Sequence, residues 1–268
     1  MTGSPSLSQL LPVLLRREWK AWVAIAAVTL AVELGVFVAA RASSLALRES
    51  TMAMLAAAAV WIALASPMLA GGAPAGGGAV GGGVCGGYWA TVLRAIACAD
   101  ATLLALWAVW AFHVGAGDAT LAGDERMTFV DTLQLYLNYL GMAAFGGAVV
   151  AIARTPAGRL AAAVAAGVVL MAGLTTPFWA GGLLGLGELE TRQSAAALAV
   201  YVNPFYSVSS CVEQMQYVLH QETILYGLTQ LGDASAPPPC PWYAAGAVYT
   251  VAAGVVGAVG LMKRALGR

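Results

Sequence analysis

Six apolar runs of membrane-crossing length divide this chain: Trp22–Ala40, Thr51–Leu69, Ala95–Val114, Leu135–Ala153, Leu160–Leu184 and Trp242–Met262. A helix needs about 20 mostly apolar residues to cross the hydrocarbon of a bilayer. In that medium a single segment satisfies its own backbone polar groups only as a helix. The 268 residues are 60% hydrophobic and 10% charged, whereas a water-soluble domain carries about 25% charged residues. Too little charge is left to coat a surface facing water. The sequence therefore predicts an all-α, polytopic membrane protein, one transmembrane domain over residues 1–268 with six transmembrane helices. Spans one to five fill 22–184 and span six fills 242–262. The fifth run is long and holds Pro177, which predicts a kink or an early end.

Ahead of the first span, residues 1–21 carry Leu10, Leu11, Leu14 and Leu15, then Arg16-Arg17-Glu18-Trp19-Lys20. This pattern predicts a short amphipathic helix leading into the bilayer, with Trp19 and Trp22 at headgroup depth. The first apolar run is 19 residues long, beyond the ~7–15 of a signal-peptide core. A signal-anchor first helix is expected, although Val38-Ala39-Ala40 has the composition of a cleavage site.

Charge distribution sets the orientation. With the amino terminus inside, nine basic residues fall on the inner side: Arg16, Arg17, Lys20, Arg94, Arg154, Arg159, Lys263, Arg264 and Arg268. Four fall outside, namely Arg41, Arg48, Arg126 and Arg192. This bias predicts both termini in the cytoplasm, with 263–268 as a cytoplasmic tail. The formal net charge is zero, and no nucleic-acid partner is expected.

The outer segment 185–241 separates spans five and six. Within it, Phe205, Val208, Val212, Met215 and Leu219 recur at helical spacing, Asn203 suits an N-cap and Pro204 a first helical position. They predict a helix over 203–227, closed by Gly227, that is interfacial or re-entrant. Ser194–Val202 is apolar but too short to cross. On the inner side, the uncharged Gly71–Gly87 stretch lacks the Lys-Ser/Thr ending of a phosphate loop and reads as a mobile glycine-rich connection or a closely packed hairpin.

Few residues carry chemistry. Glu33 lies near the middle of the first span and Asp100 about a third of the way along the third, where a carboxyl needs a partner, water or a proton. They read as an intramembrane polar path, or as structural hydrogen bonds to Ser, Thr or Trp on neighbouring helices. His113 and His220 have no ligand spacing, no hydrolase or metalloprotease motif occurs, and neither metal nor cofactor is expected. Of Cys85, Cys98, Cys211 and Cys240, the pair Cys211 and Cys240 falls outside together; a disulfide between them is one reading, two free thiols the other. Gly246, Thr250, Gly254 and Ala258 form a small-residue ladder on the last span, a face suited to close helix approach or dimerisation.

The layout, with Leu14-Leu15-Arg16-Arg17-Glu18-Trp19 before span one, Asn203-Pro204-Phe205 opening the outer helix and Lys263-Arg264 after span six, resembles bacterial ABC transporter permeases of the type-2 exporter family. The resemblance implies a non-enzymatic permease subunit of the bacterial cytoplasmic (inner) membrane. It would pair with itself or a sister chain in membrane lipid, driven by a separate ATP-binding-cassette ATPase. Arg16, Arg17 and Glu18, with Arg154 and Arg159, would then form the coupling surface. One departure is plain: the loop where that family carries a charged coupling helix is here the uncharged Gly71–Gly87. Two other classes fit the composition. One is a structural or assembly subunit of a larger membrane complex; the other is an intramembrane enzyme using Glu33, Asp100 or His113.

Overall fold

The computed structural model describes residues 7–72, 84–115, 127–176, 179, 189–212 and 240–266. These form α1 (Leu7–Ala42), α2 (Leu47–Gly71), α3 (Val84–Gly115), α4 (Phe129–Ile152), α5 (Pro156–Leu174), α6 (Leu189–Val202), α7 (Pro204–Cys211) and α8 (Ala244–Leu266), with no strand among the described residues. Six helices are long and apolar enough to cross a membrane: Trp19–Ala42 of α1, α2, Gly87–Gly115 of α3, α4, α5 and Ala244–Lys263 of α8. The chain is an all-α, multi-pass membrane protein. An even number of spans returns Lys263 to the end of the bundle at which Trp19 enters. That end is called the terminal end below, and the opposite one the far end.

Local chemistry explains where the spans begin. Before α4, the Thr128 hydroxyl accepts the Asp131 N–H at 3.2 Å and the Asp131 carboxylate accepts the Thr128 N–H at 2.7 Å. This reciprocal capping box starts the helix at Phe129, ahead of the apolar run. Thr155 caps α5 through the Gly158 N–H at 3.0 Å, with Pro156 in the first turn. The turn between α1 and α2 is tight, with Ser44 at φ 63° and the Arg41 guanidinium donating to the Leu45 carbonyl at 2.7 Å.

Two boundaries differ from the expected ones. Span five ends at Leu174, short of Leu184, where Thr175 leaves helical geometry at φ −95° and ψ 7°, two residues ahead of Pro177. There the Thr175 and Thr176 hydroxyls turn back to donate to the Met171 and Gly173 carbonyls, at 2.8 Å and 2.6 Å. At the other extreme, α1 is unbroken over 36 residues. The amphipathic stretch is thus a direct extension of the first span, since Leu14-Leu15-Arg16-Arg17-Glu18-Trp19 consists of adequate helix formers with no breaker.

The core is built on α2 and α4. The first packs against α1, α3, α4 and α5, the second against α2, α3, α5 and α8. Leu55, Ile62, Leu135, Tyr139 and Met142 are fully buried between them, and the Tyr139 hydroxyl donates to the Leu55 carbonyl at 2.9 Å. Outward faces of α1, α5 and α8 expose valines such as Val23, Val168 and Val251, as a lipid-facing surface should.

The close approach of α8 to α4 runs through Gly141 and Gly246. A Cβ on Gly141 would lie 2.5 Å from the Gly246 carbonyl oxygen. Only part of the small-residue ladder makes this approach. Gly246 is buried, but Thr250, Gly254 and Ala258 are exposed, because four-residue steps drift off one face of a 3.6-residue helix. The inward face is instead Gly246, Tyr249, Gly257 and Gly260.

Candidate functional site

The inward stripe of α1 is Ile25, Thr29, Glu33, Phe37 and Ala40. It places two polar side chains, one turn apart, against α2 and α3 near mid-bundle. Glu33 is 0% exposed, and its Oε1 shares a 2.6 Å hydrogen bond with the Thr102 hydroxyl. Thr29 accepts the Trp61 indole N–H at 3.1 Å and lies beside the Cys98 thiol. Glu33 Oε2 has no hydrogen-bond partner among the described residues. Buried polar atoms are normally paired, so such an orphan marks the place where chemistry is unfinished.

Asp100 occupies a different seam. Its Oδ1 accepts the Tyr136 hydroxyl of α4 at 2.7 Å. Residues two apart on a helix point about 200° apart, so Thr102 turns to α1 while Asp100 turns to α4. Each carboxyl has its own hydroxyl on a neighbouring span. Cys98 lies within electrostatic reach of both. His113 is buried near the far end of α3 and shares a 2.9 Å hydrogen bond between its Nε2 and the Thr51 hydroxyl. His220 lies outside the described residues.

At the far end, α6 and α7 form a helical pair between spans five and six. Asn203 joins them and holds them down. Its Oδ1 caps α7 by accepting the Phe205 N–H at 2.8 Å, while its Nδ2 donates to the carbonyl of Leu174, the last residue of α5, at 3.0 Å. From α7, Ser207 accepts the Ala245 N–H at 2.9 Å and Ser210 donates to the Cys240 carbonyl at 2.5 Å. The short helix packs on α2, α4, α5 and α8 with Val208 fully buried. It is inserted among the spans, as a re-entrant element is. Its helical run is shorter than expected: it ends at Cys211, Val212 leaves helical geometry at φ −110° and ψ 46°, and 213–227 with Gly227 fall outside the described residues. The α6 helix takes in Ser194–Val202, a run too short to cross the membrane but long enough for a helix.

Cys211 and Cys240 are free thiols, so the disulfide reading is corrected. Each sulfur has its own hydrogen-bond partners instead. Cys211 donates to the Ser207 carbonyl at 3.2 Å and accepts from Asn138 Nδ2 at 3.6 Å, and Cys240 Sγ lies 3.7 Å from the Ser207 hydroxyl. Burial pushes both thiols above their ordinary range; the Asp131 charge adds to this at Cys211, while hydrogen bonds from Asn138 and Ser207 oppose it at Cys211 and Cys240 respectively.

At the terminal end, exposed Arg154 donates to the Lys263 carbonyl at 3.3 Å, linking the α4–α5 turn to the end of α8. Arg159 is half-buried and donates to the Ala153 carbonyl at 3.5 Å. Arg16, Arg17 and Glu18 lie on α1 ahead of Trp19, with side chains outside the described set.

Thr29, Trp61 and Thr102 are the site residues that sequence reasoning did not single out. Only the Thr29–Glu33 spacing, one turn within an apolar run, was a readable signal. Among the described residues no group of three or more His, Cys, Asp or Glu side chains converges to hold a metal ion. No protein-family model, curated protein or solved structure matches the chain. Its chemistry stands on its own geometry.

Proposed function

We propose that this chain is the membrane-spanning permease subunit of an ATP-driven exporter, energised by a separate ATP-binding-cassette ATPase and paired with itself or a sister permease in a bacterial cytoplasmic membrane. The observation that carries this reading is the α6–Asn203–α7 pair inserted between spans five and six at the end opposite both termini. A re-entrant helical pair of this kind closes one mouth of a translocation route while the opposite mouth is opened by a partner. The excess of basic residues at the terminal end supports a cytoplasmic location for that end.

The length of α1 supports the same reading. Its 36 residues extend roughly 54 Å at 1.5 Å per residue, against about 30 Å of hydrocarbon. The excess carries Leu14, Leu15, Arg16, Arg17 and Glu18 toward the cytosol as a lever joined to span one. With Arg154 and Arg159 it forms the surface on which an ATPase docks. Closure of the ATPases on ATP would tilt this lever and rock α1 against α2 and α3. The uncharged Gly71–Gly87 connection leaves the docking to these arginines. No catalytic group is assigned to the chain itself.

Purification of the native chain from its own membranes in mild detergent tests this. An ATPase subunit with Walker motifs is expected at stoichiometric ratio, and inactivating its ATP hydrolysis should reproduce the loss of this chain. A stoichiometric non-ATPase complex, with the phenotype intact when ATPase partners are dead, would instead make it a structural subunit.

A further inference from the structure

We propose that Glu33 is a proton-binding site, holding a proton while the α1–α3 seam is closed and releasing it to water when that seam opens. The proposal rests on the seam alone, so its failure would leave the exporter reading where it stands.

A count of hydrogens carries it. Thr102 has one hydroxyl hydrogen, yet its Oγ1 lies 2.6 Å from Glu33 Oε1 and 3.0 Å from the Cys98 carbonyl oxygen. That carbonyl can only accept. Both contacts are full two-centre hydrogen bonds at once if Glu33 carries a proton on Oε1 and donates it to Thr102, which passes its own hydrogen to Cys98; with an ionised Glu33 that one hydrogen is divided between two acceptors. The orphaned Oε2 is then the carbonyl oxygen of a neutral acid, an under-satisfied acceptor, which proteins tolerate better than an unpaired donor. An ionised Glu33 would instead be a fully buried charge with at most one donor among the described residues.

Among the described residues, the titratable groups in electrostatic contact with the cluster are Cys98 and Asp100 on α3 and Tyr139 on α4, all of them acids, which do not favour an anion at Glu33. The only charged residues of α2, Arg48 and Glu49, belong to its first turn, and α1 carries Lys20 and Arg41 near the ends of its span. Access is closed as well. One turn further along α1, Phe37 is 4% exposed and meets Phe112 of α3 edge-on at 5.8 Å, while the Trp61–Thr29 bond closes the other side. Water reaches the carboxyl only if α1 and α3 part. Release then moves one proton from Oε1 to water and leaves a carboxylate, with no change of oxidation state. The seam becomes easier to open as pH rises.

The test uses the full chain in lipid vesicles. Infrared spectra at neutral pH should contain a protonated-carboxyl C=O band that is absent from Glu33→Gln and retained in Asp100→Asn. Amide hydrogen exchange over 25–40, taken as the ratio of wild type to Glu33→Gln, should be flat at low pH. It should then rise by about tenfold per pH unit while opening releases the proton. A missing band, or a ratio flat across the range, overturns the proposal. Should Glu33→Gln fail to accumulate, an apolar carbodiimide, which needs the carboxylic proton to react, reads the native chain. A modified Glu33 peptide that disappears at high pH supports the site, and an unmodified Glu33 at every pH overturns it.

Discussion

The Asn138 carboxamide of α4 accepts the backbone N–H of Gly246 in the first turn of α8 at 2.9 Å, and its Nδ2 donates to the Trp242 carbonyl at 2.7 Å. One side chain thus satisfies a first-turn donor that a helix cannot satisfy internally and fixes where the last span enters the bundle. Asn138→Ala leaves both backbone groups buried and unmet. The expected cost is about 1–3 kcal/mol for each such group, read as a lower midpoint of thermal unfolding in detergent. Asn138→Asp should recover only part of it, since a carboxylate cannot donate to Trp242.

Beside it, Gly141 and Gly246 let the backbones of α4 and α8 approach. Gly141→Ala puts a methyl 2.5 Å from the Gly246 carbonyl and 3.1 Å from the Thr250 hydroxyl, so α8 must shift. Overpacking of this kind costs about 1–3 kcal/mol. Gly254→Ala, with nothing within 4 Å, should leave stability unchanged or raise it slightly. Melting both variants in the same detergent separates the two positions.

The Asp100–Tyr136 bond predicts a rescue. Tyr136→Phe removes the hydroxyl that Asp100 accepts at 2.7 Å, leaving the carboxylate short of a partner in the α3–α4 seam. Stability or yield should fall, and Asp100→Leu in the same chain should restore much of the loss, because removing both partners is far milder than removing one. Equal losses from the single and double variants would show the bond to be unimportant.

Thiol chemistry distinguishes the far end from a disulfide-stapled one. Cys211 and Cys240 are buried, and burial holds both thiols above the usual range, so at neutral pH they stay protonated and are poor nucleophiles. Both should resist maleimide in the folded protein and react fully after denaturation without reductant. Failure to react after denaturation would indicate a bridge.

Much of this architecture was readable because burial in lipid makes simple demands on a sequence. The six runs mark the spans, Pro177 signals that the fifth run is interrupted, and Asn203-Pro204 marks the start of α7. What escaped depends on partners far away in the chain. Thr102 lies 69 positions from Glu33 and Asn138 lies 108 from Gly246, and no local pattern connects either pair. On α8, likewise, small residues at four-residue steps look like one face, yet neighbouring helices decide that Gly257 and Gly260 point inward and Gly254 outward. The Cys211–Cys240 reading failed similarly, because sharing a side of the membrane says nothing about what each sulfur touches.

Side-specific labelling of single cysteines in spheroplasts tests the central claim, six spans with both ends in the cytoplasm, most directly. Cysteine is introduced at exposed Glu49, Arg154 or Lys263, with Cys85→Ser as background. An impermeant maleimide should modify Glu49→Cys in intact spheroplasts, and Arg154→Cys and Lys263→Cys only after the membrane is opened. Reaction of Lys263→Cys in intact spheroplasts, or of Glu49→Cys and Arg154→Cys from the same side, would contradict the account.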